Sequence, residues 1–384
     1  MKQISIKNSK LARPEGPPAD AVVQIGDGII RSISREQPVS EESVLDASGA
    51  ILFPGFIDVH IHGAVGFDVN TATADELLEV AGFLARNGIT AWVPTLVPDS
   101  DENYRRAVGE IGRLMEIQQG KAVAQAVGVH YEGVFANERM CGALRPEYFK
   151  KFTGNEVREL PRVEGGVHMT TFAPEVEGGI ELVRELVREG WIPSIGHTRA
   201  DADTLELAFA AGARHMTHFF NAMTGIHHRD VGVAGWALTN EDVTFDIIAD
   251  GLHVNPRMLE FACRAKSADK VTLISDSVAP TGLGDGVFEL WNETVTVKKG
   301  LTQNERGSIA GSVITMHDAV RRMLSLGFSA EETARMASTN PARLLGLSAS
   351  RGSIEPGKRA DLVGLDADGS IKFVMIGGEQ VDLG

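Results

Sequence analysis

The middle of this 384-residue chain alternates between short apolar runs and amphipathic stretches, about eight times over. The runs are 55–60, 90–94, 126–131, 167–173, 192–195, 215–219, 243–248 and 271–275. Between them, helices are predicted at 74–87, 101–118, 179–189, 201–211 and 255–266, with Thr73 and Ser100 placed to cap the first two. Repeated strand–helix alternation implies parallel strands joined by crossover helices. Eight such units in about 290 residues suit a closed (β/α)8 TIM barrel, with an open doubly wound sheet as the alternative.

The two ends read differently. Residues 21–24 and 28–33 are β-rich around the turn Gly26-Asp27-Gly28, and 44–52 is a further strand candidate. At the far end, 360–365 and 371–376 flank the turn Asp366-Ala367-Asp368-Gly369. All-β pieces at opposite termini imply one composite domain. The expectation is therefore a small β-sandwich from 1–53 and 345–384, and a barrel over 54–344.

Charge narrows the partners. With 37 basic and 52 acidic residues the net charge is −15, which speaks against nucleic acid and anionic membranes. Two distant cysteines, Cys141 and Cys263, form neither a disulfide framework nor a Cys-based zinc site. No apolar leader and no run long enough to span a bilayer are legible, so a cytoplasmic location is expected.

The chemistry gathers at the strand ends, where barrel enzymes place it. His60 and His62 close the first run, and residues two apart on a strand share a face. Glu132 closes the third, one step beyond His130, which reads as a packed, hydrogen-bonded histidine. His197 follows the fifth run, His218 ends the sixth and Asp276 ends the eighth. Each alone reads as structural. Together they put imidazole and carboxylate donors at one end of five strands, the ligand set of a metal site that leaves room for water. Such an ion lowers the pKa of its water toward about 7, and a spare carboxylate can shuttle the proton. The residues thus point to metal-assisted hydrolysis.

The run Pro54-Gly55-Phe56-Ile57-Asp58-Val59-His60-Ile61-His62-Gly63, with Asn340-Pro341-Ala342 and the segment 352–363, resembles the amidohydrolase superfamily. More narrowly, Gly196-His197-Thr198, Thr217-His218, Asn221-Ala222-Met223, Ile248-Ala249-Asp250-Gly251-Leu252-His253-Val254 and Ser275-Asp276 resemble the N-acetylglucosamine-6-phosphate deacetylase family over essentially the whole chain. The resemblance implies that Glu132, His197 and His218 are the main metal ligands and that His60 and His62 belong to a second metal position. It implies one or two divalent ions per subunit, zinc first, with iron, manganese or cobalt as alternatives. Asp276 matches the general base and acid, and Asn221 and Ala222 line the sugar phosphate. His253 and Arg229 match phosphate contacts, the arginine reaching across from a neighbouring subunit in a homodimer. The substrate class implied is an amino-sugar phosphate. A single phosphate needs only a local site, so the net charge does not oppose it.

One position departs from the family. Twelve residues after Glu132, where a histidine usually contacts the acetyl carbonyl, this chain has Leu144, followed by Arg145. Losing a donor aimed at a developing oxyanion costs about 3–4 kcal/mol. A second metal ion, a shifted Arg145, or a different N-acyl amine or cyclic amide as substrate would each reconcile the change. An inactive binding module is the remaining reading, and the intact ligand set with Asp276 argues against it.

Overall fold

The protein is represented by a computed structural model that describes residues 3–12, 19–35 and 43–384; the remaining parts of 1–53 lie outside the described residues. Eight strands, Phe56–Ile61, Ile89–Leu96, Gly128–Phe135, Val167–Phe172, Ile192–Ile195, His215–Met216, Thr244–Ile248 and Val271–Ile274, follow one another around a parallel sheet. Just beyond the eighth strand the backbone bonds back to the first. The Asp276 amide donates to the His60 carbonyl at 2.9 Å, and the His62 amide to the Ser277 carbonyl at 2.8 Å. The result is a (β/α)8-like barrel.

Every residue of the second and third strands is buried, and both are mostly apolar rather than strictly alternating. Gly128 lets the third strand approach the fourth. A Cβ there would lie 2.0 Å from the Val167 carbonyl oxygen. The predicted crossover helices are observed, with caps supplied locally. Thr73 and Glu76 form a capping box ahead of Ala74–Arg86, and Ser100, Asp201 and Asn255 cap Asp101–Ile117, Ala202–Ala211 and Pro256–Lys266.

The small domain is a mixed sheet built from both ends of the chain. Ile51–Pro54 lies between Gln3–Leu11, which it meets in parallel, and Leu362–Leu365, which it meets antiparallel. Ile6, Val23, Ile25, Ile30 and Leu52 pack with Leu362, Phe373 and Met375 in its core.

Two local expectations are corrected. The stretch 44–52 is two strands, Val44–Asp46 and Ile51–Pro54, because Ser48 and Gly49 turn through positive φ of 48° and 85°. The sixth barrel strand stops at Met216, not at 219, since His218 and Phe220 leave extended backbone (φ 32° and 79°). The third crossover, where the sequence predicts no helix, holds short turns and the one-turn helix Glu156–Glu159. Outside any of these expectations, an antiparallel sheet of Gly286–Leu290, Glu293–Lys298 and Leu301–Asn304 is inserted after the eighth strand.

Candidate active site

The strand ends bring the predicted donors together. His60 and His62 point to the same side, with their Nε2 atoms 3.1 Å apart. Glu132 Oε1 lies 3.0 Å from Nε2 of both His197 and His218, and Glu132 Oε2 lies 3.3 Å from His62 Nε2. Asp276 Oδ1 stands 3.3 Å from His62 Nε2 and 3.5 Å from His60 Nε2. Two three-residue groups of metal-ligating geometry result, His60–His62–Glu132 and Glu132–His197–His218, sharing the carboxylate. All five side chains are buried.

The rings are aimed from behind. His62 Nδ1 faces the Thr95 carbonyl at 3.2 Å and His197 Nδ1 the Met140 carbonyl at 2.7 Å. A carbonyl only accepts, so each Nδ1 carries hydrogen, and Nε2 is the atom left to ligate. The His218 amide is held by buried Asp246, whose other oxygen meets His215 Nε2 at 3.1 Å. His197, His218 and Asp276 all have left-handed backbone, with φ of 48°, 32° and 51°. Such conformations persist where the surroundings impose them, and they turn each side chain inward just past its strand. His130 lies one layer deeper, between the Val59 carbonyl at 3.2 Å and Thr171 Oγ1 at 2.8 Å. Burial, with His60 beside it, holds its imidazole well below the usual range.

Electrostatics show what the cluster accommodates. Burial would raise Glu132, but His60, His197 and His218 hold it well below the carboxylate range. Burial would likewise raise Asp276, and His60 and His62 outweigh it, so this carboxyl is lowered. Burial depresses His62 and His218, yet bonding to Asp276 and Glu132 lifts the first to about 10, and bonding to Glu132 lifts the second to about 9. The cavity is thus built to contain positive charge. A divalent ion meets that demand by displacing protons. The donors are imidazole nitrogen and carboxylate oxygen, the set that suits such an ion. Among the described residues, His60 Nδ1 and His218 Nδ1 are buried without a hydrogen-bond partner. The residues fit a divalent metal.

Above the cluster opens a cavity of about 250 Å³, lined by His62, Glu132, His197, His218 and Asp276 on its floor. Asn221, Ala222 and His253 also line it, as does Leu144. His253 Nδ1 bonds Asp250 Oδ2 at 2.6 Å, and the same carboxylate accepts the amides of Leu252 and His253, both at 2.8 Å. Nε2 is left for a ligand. Two residues are not brought in. Arg229 is exposed in the 225–231 loop against His228, outside this chain's cavity. Arg145 turns away, its Nη2 donating to the Pro98 carbonyl at 2.8 Å and pairing with Asp99 at 3.0 Å.

Sequence reasoning passed over Asp250 and the wall contributed by the inserted sheet, above all Trp291, with Ser308, Ile309 and Gly311. A signal was present for Trp291. Asn292 sits at a two-residue turn between alternating runs, the hairpin pattern, and both residues have positive φ (54° and 64°).

A sequence model of the amidohydrolase family matches residues 51–381. The chain is 33% identical over 376 residues to N-acetylgalactosamine-6-phosphate deacetylase of Escherichia coli O157:H7, covering 97% of this chain and 98% of that protein. It is 34% identical over 373 residues to N-acetylglucosamine-6-phosphate deacetylase of Bacillus subtilis (strain 168), covering 94% of each. Among solved structures, a mutant of N-acetyl-D-glucosamine-6-phosphate deacetylase from Mycobacterium smegmatis, in complex with N-acetyl-D-glucosamine-6-phosphate, superposes with a TM-score of 0.89. The two are 31% identical, with 99% of this chain and 98% of that one covered. Among the described residues no helix is long and apolar enough to cross a membrane.

Proposed function

Since the chain belongs to the amidohydrolase family and, within it, to the N-acetylglucosamine-6-phosphate deacetylases, we propose that it hydrolyses the N-acetyl amide of N-acetylglucosamine 6-phosphate to acetate and the amino-sugar phosphate. The observation that carries this reading is the pair of His/Glu triads sharing Glu132, with Asp276 on the same cavity floor. When bound there, a divalent ion supplies an activated water and a Lewis acid for the acyl oxygen.

The chain's own groups do the rest. Glu132, His197 and His218 would hold one ion, and His60 and His62 with Glu132 would hold a second. Zinc is the first choice for these donors, and iron, manganese or cobalt suit them too. Asp276, ionised at neutral pH, takes the proton of the attacking water and returns it to the departing amine. His253, oriented by Asp250, and the neighbouring Asn221 and Ala222 receive the sugar phosphate. Arg229 completes that end from a neighbouring subunit of a homodimer, which suits its exposure outside this chain's own cavity. A cytoplasmic location belongs to the same reading.

The test is acetate release by metal-loaded protein from N-acetylglucosamine 6-phosphate and N-acetylgalactosamine 6-phosphate. Turnover of the first at least as efficient as the second supports the assignment. Preference for the galacto sugar moves the substrate within the class, and hydrolysis of neither ends the reading.

A further inference from the structure

Two large apolar side chains, Leu144 and Trp291, border the cavity next to the candidate metal ligands. Leu144 is buried against the backbone beside Glu132, so close that a Cβ on Gly133 would fall 2.4 Å from Leu144 Cδ1. Trp291 stands over His62, with ring centroids 5.3 Å apart and planes at 79°. Its indole N–H, the ring's one polar atom, donates to Asp68 Oδ2 at 3.0 Å, so the ring offers the cavity carbon alone. Both side chains line the cavity, with Ile309 nearer the solvent. Trp291 is backed by Val278, Leu290 and Val295. Polar cavity groups that can receive a sugar phosphate, Asn221 and His253, come from other strands' loops.

We propose that Leu144 and Trp291 form an apolar acyl wall that makes this chain accept N-alkanoyl groups longer than acetyl and discriminate against hydroxylated N-acyl groups. The inference rests on the proposed amino-sugar-phosphate reading and specifies its acyl half. The reaction is unchanged: water oxygen bonds to the acyl carbon, the C–N bond breaks, the amine nitrogen takes the proton, and the acyl group leaves as a carboxylate. What the wall alters is which acyl group is held over the ions. An added methylene buried against it is worth roughly fourfold. A hydroxyl pressed on it finds no partner, which costs more than the methylene gains.

The experiment compares kcat/KM for the N-acetyl, N-propionyl and N-glycolyl amides of glucosamine 6-phosphate. The expected result is N-propionyl within about tenfold of N-acetyl or better, and N-glycolyl at least about tenfold below N-propionyl. Leu144→Asn, close to leucine in shape but hydrogen-bonding, should move the propionyl-to-glycolyl ratio at least about tenfold toward glycolyl. Leu144→Met should keep the wild-type order, which separates loss of the wall from general damage to the loop. N-glycolyl equal to or better than N-propionyl in the wild type overturns the proposal, as does a ratio unmoved by Leu144→Asn. Hydrolysis of none of the three amides would instead overturn the substrate class itself.

Discussion

Glu132 Oε1 and His218 Nε2 lie 3.0 Å apart, although 86 residues separate them in the chain. The same carboxylate reaches His62 on its other side, so Glu132 is common to both triads. Replacing Glu132 with alanine should therefore empty both positions, whereas His62→Ala should spare the Glu132–His197–His218 ion. Elemental analysis of reconstituted proteins checks this. The expected order is two ions for the wild type, one for His62→Ala and none for Glu132→Ala.

Metal removal should leave a pH signature. In the metal-free protein His62 and His218 titrate at about 10 and about 9, above the ordinary 6.5. A group raised on folding stabilises fully below its unfolded pKa, and that contribution is lost as pH rises through the folded value. Melting temperature of the chelated protein should thus fall between about pH 7 and pH 10. Metal binding near pH 7.5 should release protons, read by calorimetry in buffers of different ionisation enthalpy.

Asp276→Asn removes the proton carrier while keeping the side chain's shape. We expect kcat to fall roughly 10²–10⁴-fold with metal content retained. A variant that kept more than a tenth of wild-type kcat would show that the proton takes another route.

Asp250→Asn should act through His253. Loss of a charge-assisted hydrogen bond, worth about 1.5 kcal/mol, predicts a roughly tenfold rise in KM for the phosphorylated substrate with kcat little changed. The unphosphorylated sugar amide should be indifferent to the substitution. A fall in kcat with KM unchanged would place Asp250 elsewhere in the cycle.

Gly128→Ala tests the barrel itself. The new methyl meets the Val167 carbonyl at 2.0 Å, so strands three and four must separate. A loss of about 1–3 kcal/mol is expected, read as a lower urea midpoint with an unchanged slope.

What was legible in the sequence follows from distance along the chain. Burial on both faces leaves a strand mostly apolar, so the second and third strands are legible directly. Two-residue spacing put His60 and His62 on one face without any tertiary knowledge. Asp246 was invisible because its task, holding the His218 amide, joins residues 28 apart. The sixth strand reads longer in the sequence than it is, because nothing in Thr217-His218-Phe219 announces a left-handed turn; Asp246 holds the His218 amide from outside. The hairpin at Trp291 is legible, but its contact with the site is not, for a related reason. Its place over His62 depends on a hairpin folding back from beyond the eighth strand.

The antiparallel pairing of Ile51–Pro54 with Leu362–Leu365 bears on the order in which the chain is made. Strands near the start emerge first from the ribosome, yet their partners follow some 300 residues later. At translation rates of about 5–20 residues per second the wait is roughly 15 s or more. Throughout it Ile6, Val23, Ile25 and Leu52 lack the Leu362, Phe373 and Met375 that cover them. The barrel can be complete while its companion sheet is still half-written. The interval before the last strands appear is then the period of greatest exposure to chaperones and to aggregation.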